Sequence, residues 1–214
     1  MQIGILLFEG FTALDAIGPY QILSSVPGAE TVFVAEETGP VLDHVGALSF
    51  LATATLTEVT APDVLVVPGG PGQSAQMTNG PLLDWLRAVD VTSTWTTSVC
   101  TGSLLLAAAG LLDGRRATSH WLALDALREY GAEPTGERVV IDGKYVTGAG
   151  VSAGIDMALT LAGSLVDDRF AQFVQLGTEY DPQPPYDAGS PEKAPADLVE
   201  EMRAAARFTA ASGG

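Results

Sequence analysis

Residues 95–112, WTTSVCTGSLLLAAAGLL, decide the fold. Residues 95–99 read as a buried strand, with Thr96, Thr97 and Val99 β-branched. Residues 102–112 are rich in Leu and Ala and read as a helix. Only Cys100 and Thr101 separate the two. Cys100 thus stands at the corner of a strand–turn–helix, the geometry of a nucleophile elbow, where a side chain points out of a tight turn above the sheet edge. Gly102 lets the chain turn closely there.

The alternation continues in both directions. Upstream, residues 3–8 form a continuous apolar run, as expected of a central parallel strand buried on both faces. Residues 12–25 read as a helix with Thr12 in the N-cap position. Strands are expected at 31–35 and 63–67, the second running into Pro68-Gly69-Gly70-Pro71-Gly72, and residues 40–57 read as a hairpin-like insertion. A short amphipathic helix covers 81–89. Downstream come an extended piece at 117–119, a helix at 120–130 and a hairpin at 138–147 about Asp142-Gly143. Helices at 151–165 and 169–180 lead into a five-proline strap at 181–195, and a last helix covers 196–209.

This order predicts an α/β protein with a flavodoxin-like, doubly wound, mostly parallel sheet in a three-layer α/β/α sandwich. One domain is expected over 1–195, with 196–214 the C-terminal helix and tail of the same domain. In such sheets ligands bind beyond the carboxyl ends of the strands. That rule selects the turns at 9–15, 68–72 and 100–102, and a fourth, VTGAGV, at 146–151.

Composition narrows the function classes. The 214 residues are 47% hydrophobic and 17% charged, which excludes a disordered chain. Ten Lys and Arg against 26 Asp and Glu leave a net charge of −16. Such a polyanion repels phosphate backbones and anionic lipid, so neither nucleic acid nor a membrane is an expected partner. Cys100 is the only cysteine, which excludes an internal disulfide and a cysteine metal cage. The N-terminal apolar run stops at Phe8, short of a signal peptide or a span, and the expected location is the cytoplasm.

At the elbow, the backbone N–H groups after Cys100 and the positive end of the following helix favour a thiolate, populated near neutral pH. The plainer reading is a buried cysteine acting as a small hydrophobe. A proton donor or acceptor must serve the sulfur. The residue after Cys100 is Thr101, so an adjacent His is absent; His44 lies in the insertion and reads as a surface residue, while His120 starts a helix and either approaches the site or caps and packs. Asp15 is the stronger candidate. It sits among apolar neighbours in the helix after the first strand, where a carboxyl facing a thiolate has a raised pKa and can stay protonated. The alternative is an ordinary helix-start carboxylate. Gly69 and Gly70 offer N–H groups for an anion pocket beside the sulfur, with Thr101 as a partner. Gly150 and Val151 complete the candidate substrate-binding or oxyanion set; the Gly148-Ala149-Gly150 turn matches no phosphate loop and reads as close backbone approach at a helix start.

These residues resemble a known family. The acid after the first strand, the PGG after a core strand and SVCTGSLLLAAAGLLDGRRATSHW (98–121) are similar to the PfpI-type, class I glutamine amidotransferase-like superfamily. Within it, LDAIGPYQIL (14–23), TGAGVSAGIDMALTLA (147–162) and EYDPQPPYDAGSP (179–191) most resemble the isonitrile (isocyanide) hydratases. The resemblance implies Cys100 as nucleophile, Asp15 as acid, Thr101 and the Gly70 region as orienting groups, and a homodimer. It implies hydration of a small neutral isonitrile by water to a formamide through a cysteine thioimidate, with no metal or organic cofactor. Thr101 in place of His argues against peptidase-like and glyoxalase-like members. The alternatives are a glyoxalase-like hydratase of small dicarbonyls and a redox-sensing stress protein in which Cys100 oxidises. The ligand-sensing part of a transcription regulator is set aside, because residues 196–214 are too few for helix-turn-helix repeats.

Overall fold

A computed structural model describes residues 1–206. The first half of the chain runs β1 (Gln2–Leu6), α1 (Ala13–Leu23), β2 (Glu30–Ala35), β3 (Gly39–Leu42), β4 (Ser49–Ala52), β5 (Ala54–Thr55), β6 (Val64–Val67), α2 (Gln73–Gln76) and α3 (Gly80–Thr92). The second half runs β7 (Trp95–Val99), α4 (Gly102–Ala108), β8 (Arg116–Ala117), α5 (Leu124–Glu129), β9 (Glu133–Pro134), β10 (Val139–Asp142), β11 (Tyr145–Gly148), α6 (Ala153–Leu165), α7 (Asp168–Gly177) and α8 (Ala196–Ala205).

Seven strands form the main sheet in the order β10-β11-β7-β6-β1-β2-β5. All neighbours are parallel except β10, which pairs antiparallel with β11 through the tight turn at Gly143. The five inner strands, β2-β1-β6-β7-β11, follow the flavodoxin-like winding, with its switch point between β1 and β6. Burial explains the central position of β1 and β6. Ile3, Ile5 and Val64–Val67 are wholly buried, so both faces of these strands must be covered by helices. On one face α1 packs on α6 and α6 on α7; on the other α4 packs on α2, α3 and α5. This is the expected three-layer sandwich.

Local differences have local causes. The helix expected over 102–112 stops at Ala108, because Gly110 adopts φ +80 and turns the chain out of helical geometry. The helix expected over 120–130 splits into a 3₁₀ turn (Trp121–Ala123) capped by His120, then α5. The insertion at 40–57 holds the β3–β4 hairpin and also supplies β5 to the sheet edge. The short α2 after the glycine loop has no counterpart in the sequence reading. Thr12 is the N-cap of α1 but makes no side-chain capping bond. The last helix ends at Ala205, and the tail at 207–214 lies outside the described residues. Among the described residues no helix is long and apolar enough to cross a membrane.

Candidate active site

Four strand ends, those of β1, β6, β7 and β11, converge at the switch point. Cys100 follows β7 at φ +57, a left-handed conformation that costs a β-carbon residue about 1–2 kcal/mol. The surroundings hold it there. Its N–H donates to the carbonyls of Ala149 (2.8 Å) and Gly148 (3.1 Å). Its own carbonyl accepts from Ser119 Oγ (3.0 Å) and Ser103 Oγ (3.2 Å). These bonds over-determine the corner, as strained functional positions require. The elbow also lies tight on the loop after β6. A β-carbon at Gly102 would sit 2.1 Å from the Val67 carbonyl oxygen, so only glycine fits.

Asp15 lies in the first turn of α1 and is fully buried. Its Oδ2 accepts from the Gly69 N–H at 2.9 Å. The Gly69 carbonyl accepts from the Thr12 N–H (2.8 Å), which ties the start of α1 to the glycine loop. Thr101, also fully buried, accepts from the Gly70 N–H through Oγ1 (3.0 Å). The two glycine N–H groups are therefore engaged by Asp15 and Thr101. That corrects the expectation that they stand free as an anion pocket: they position the acid and the threonine. Instead the N–H groups of Thr101 and Val151 face the Cys100 sulfur. Gly150, beside Val151, passes close to His120, whose Cδ2 would lie 3.4 Å from a β-carbon there.

The structure brings the carboxyl of Asp15 against the thiol of Cys100. Burial pushes Asp15 up to about 7, while the Gly69 N–H and the thiol pull it partly back. Asp15 Oδ1 is buried with no hydrogen-bond partner, the one carboxyl oxygen left for a reacting group. Burial, then the Asp15 charge, pushes the Cys100 thiol up, and the Thr101 and Val151 N–H groups offset this only in part. Cys100 is 4% exposed, and that burial opposes the helix-end effect of the seven-residue α4. Thiol and acid face each other closely enough that their titrations are coupled.

His120 caps its turn: Nδ1 accepts from the Leu122 N–H at 3.3 Å, and burial lowers its pKa. His44 is exposed, as read from its place in the insertion. Among the described residues no group of three or more His, Cys, Asp or Glu could hold a metal. Sequence reasoning missed Ser103 and Ser119 as anchors of the elbow. Ser103, three residues after Cys100, fits a helix first turn; Ser119 arrives from a distant segment and leaves no local signal.

A buried thiol on a strained corner, paired with a carboxyl across a flavodoxin-like switch point, defines a cysteine-elbow α/β protein. Residues 1–163 match the DJ-1/PfpI family, and the chain belongs to it. It is 47% identical to the isonitrile hydratase of Pseudomonas putida over 203 residues, covering 95% of this chain and 89% of that protein. The structure superposes on a ThiJ/PfpI family protein from Pseudomonas syringae with a TM-score of 0.93 and 41% identity, covering 95% of this chain and 85% of that one. A partial relative is the HTH-type transcriptional regulator CdhR of Pseudomonas aeruginosa, 38% identical over 130 residues, which span 60% of this chain and 38% of the regulator.

Proposed function

We propose that the protein is an isonitrile hydratase, converting R–N≡C and water into an N-substituted formamide. The observation that carries this reading is the Cys100–Asp15 pair, in a chain that matches a protein of that name over nearly its whole length. In the pair, the form with the proton on Asp15 places a thiolate beside a neutral acid, and it has the same proton count as the thiol–carboxylate form.

The isonitrile carbon needs a nucleophile and a proton. Cys100 sulfur forms the S–C bond while Asp15 delivers its proton, giving the thioimidate R–N=CH–S–Cys100. The Asp15 carboxylate then takes a proton from water as the hydroxide attacks the same carbon. The Asp15 proton passes to nitrogen, the S–C bond breaks as the hydroxyl proton returns to the Asp15 carboxylate, and R–NH–CHO leaves with the Cys100 thiolate and neutral Asp15 restored. Thr101 and Val151 supply N–H groups to the sulfur whenever it carries charge. No step calls on a metal or organic cofactor.

The acid's position favours this chemistry over the alternatives. Neutral Asp15 gives a proton donor to an uncharged substrate, whereas a sensor cysteine needs an exposed thiol and Cys100 is buried. We also infer a homodimer, supported by the exposed apolar side chains Leu14, Ile17 and Tyr20 on α1, and a cytoplasmic location. Incubation with an aryl or alkyl isonitrile tests the activity, with formamide followed by NMR and methylglyoxal as the competing substrate. Formamide production lost in Cys100→Ser and Asp15→Asn is expected; turnover of methylglyoxal alone overturns the reading in favour of the glyoxalase-like one.

A further inference from the structure

The turn that aims the Val151 N–H at Cys100 is gripped from outside the site. Arg138, next to β10, donates from Nη2 to Ser152 Oγ (3.2 Å) and from Nε to Asp156 Oδ2 (2.5 Å). Its backbone carbonyl accepts from the Ala149 N–H (2.9 Å). Tyr180 donates its hydroxyl to the same Asp156 carboxylate, at 3.1 Å to Oδ2. One residue therefore holds the chain on both sides of Gly150-Val151.

Ser152 makes this grip more telling. It is the N-cap of α6, a position where serine usually accepts a backbone N–H, yet it makes no capping bond. Its hydroxyl meets Arg138 instead. Asp156, in the first turn of α6, is likewise drawn to the guanidinium. From the inner side the turn is fixed by the Cys100 N–H, which donates to the Gly148 and Ala149 carbonyls.

We propose that Arg138 is a positioning residue: through Ser152 and Asp156 it places the Val151 N–H against the Cys100 sulfur and so tunes the nucleophile. The inference rests on the reading of Cys100 as a nucleophile, and not on the identity of the substrate. Arg138 itself touches no reacting atom. The groups that face the sulfur directly are Asp15 and the N–H groups of Thr101 and Val151.

The test is the pH profile of Cys100 alkylation by iodoacetamide, read by intact mass. In Arg138→Ala the profile moves to higher pH by roughly 0.5–1 unit, the share of one misplaced donor, and the rate at pH 7 falls about three- to ten-fold. Ser152→Ala moves it in the same direction by less, and Arg138→Lys recovers only part of the wild-type profile because a point charge replaces the fork. A profile unmoved in both Arg138→Ala and Ser152→Ala overturns the proposal, whatever happens to the melting temperature. Should Arg138→Ala fail to fold, Ser152→Ala decides alone. A wild-type Cys100 that resists alkylation at every pH removes the nucleophile, and the proposal with it, whereas alkylation that shifts as expected in a protein inert to isonitriles upholds the proposal and overturns only the substrate.

Discussion

Replacing Asp15 by Asn should stabilise the protein, and more so as pH rises. The native carboxyl is buried and its pKa rises from 3.8 to about 7. Its folded value lies above its unfolded value, so between the two the native state holds the proton that the unfolded state has lost. Stability contributed by that proton is full below the unfolded pKa and is lost as pH climbs toward 7. A shift of about three units corresponds to about 4 kcal/mol in total, of which roughly 2–3 kcal/mol disappears between pH 5 and pH 8. Asn removes the ionisable group, keeps the volume and still offers an oxygen to the Gly69 N–H. The assay is thermal unfolding of wild type and Asp15→Asn at both pH values. Their melting temperatures should diverge by roughly 5–10 °C more at pH 8 than at pH 5, at 2–4 °C per kcal/mol for a chain of this size. A gap that is the same at both pH values, or a variant that is less stable at pH 8, would refute the buried-acid account.

The remaining expectations concern the elbow and the outer face of α1. Gly102→Ala drives a methyl against the Val67 carbonyl oxygen and should cost about 3 kcal/mol or more, seen as a fall in melting temperature. Thr101→Val leaves the buried Gly70 N–H without its acceptor, and denaturant titration should show a loss of about 1–3 kcal/mol. Turnover of the wild type measured as kcat/KM should rise with pH through about 7, as the pair gives up its first proton, and a profile flat across that range would count against Asp15 as the titrating acid. If the inferred homodimer forms through α1, Ile17→Glu should abolish it in analytical ultracentrifugation, since Ile17 is 41% exposed beside exposed Leu14 and Tyr20; a wild type that sediments as a monomer overturns that inference.

Much of the architecture is legible in the sequence because its signals are local. The run from Ile3 to Phe8 and the four residues Val64–Val67 are apolar without alternation, and only a sheet covered on both faces buries them that way. The elbow is legible for the same reason: a strand, two residues and a helix leave Cys100 no other place. Asp15 is legible as a polar residue amid apolar ones, and its neutral tendency follows from burial alone. What stays hidden depends on distance in the chain. The roles of the Gly69 and Gly70 N–H groups are set by partners 54 and 31 residues away. Ser119 reaches Cys100 across 19 residues, and Arg138 reaches Ser152 across 14. The helix-end effect on Cys100 is visible in the sequence, whereas the depth of burial opposing it is not.

The most direct test is the mass of the protein quenched during turnover of an aryl isonitrile. An adduct equal to the whole mass of the isonitrile is expected, located on the peptide carrying Cys100 and absent from Cys100→Ser. Formamide produced with no such adduct, and still produced by Cys100→Ser, would contradict it.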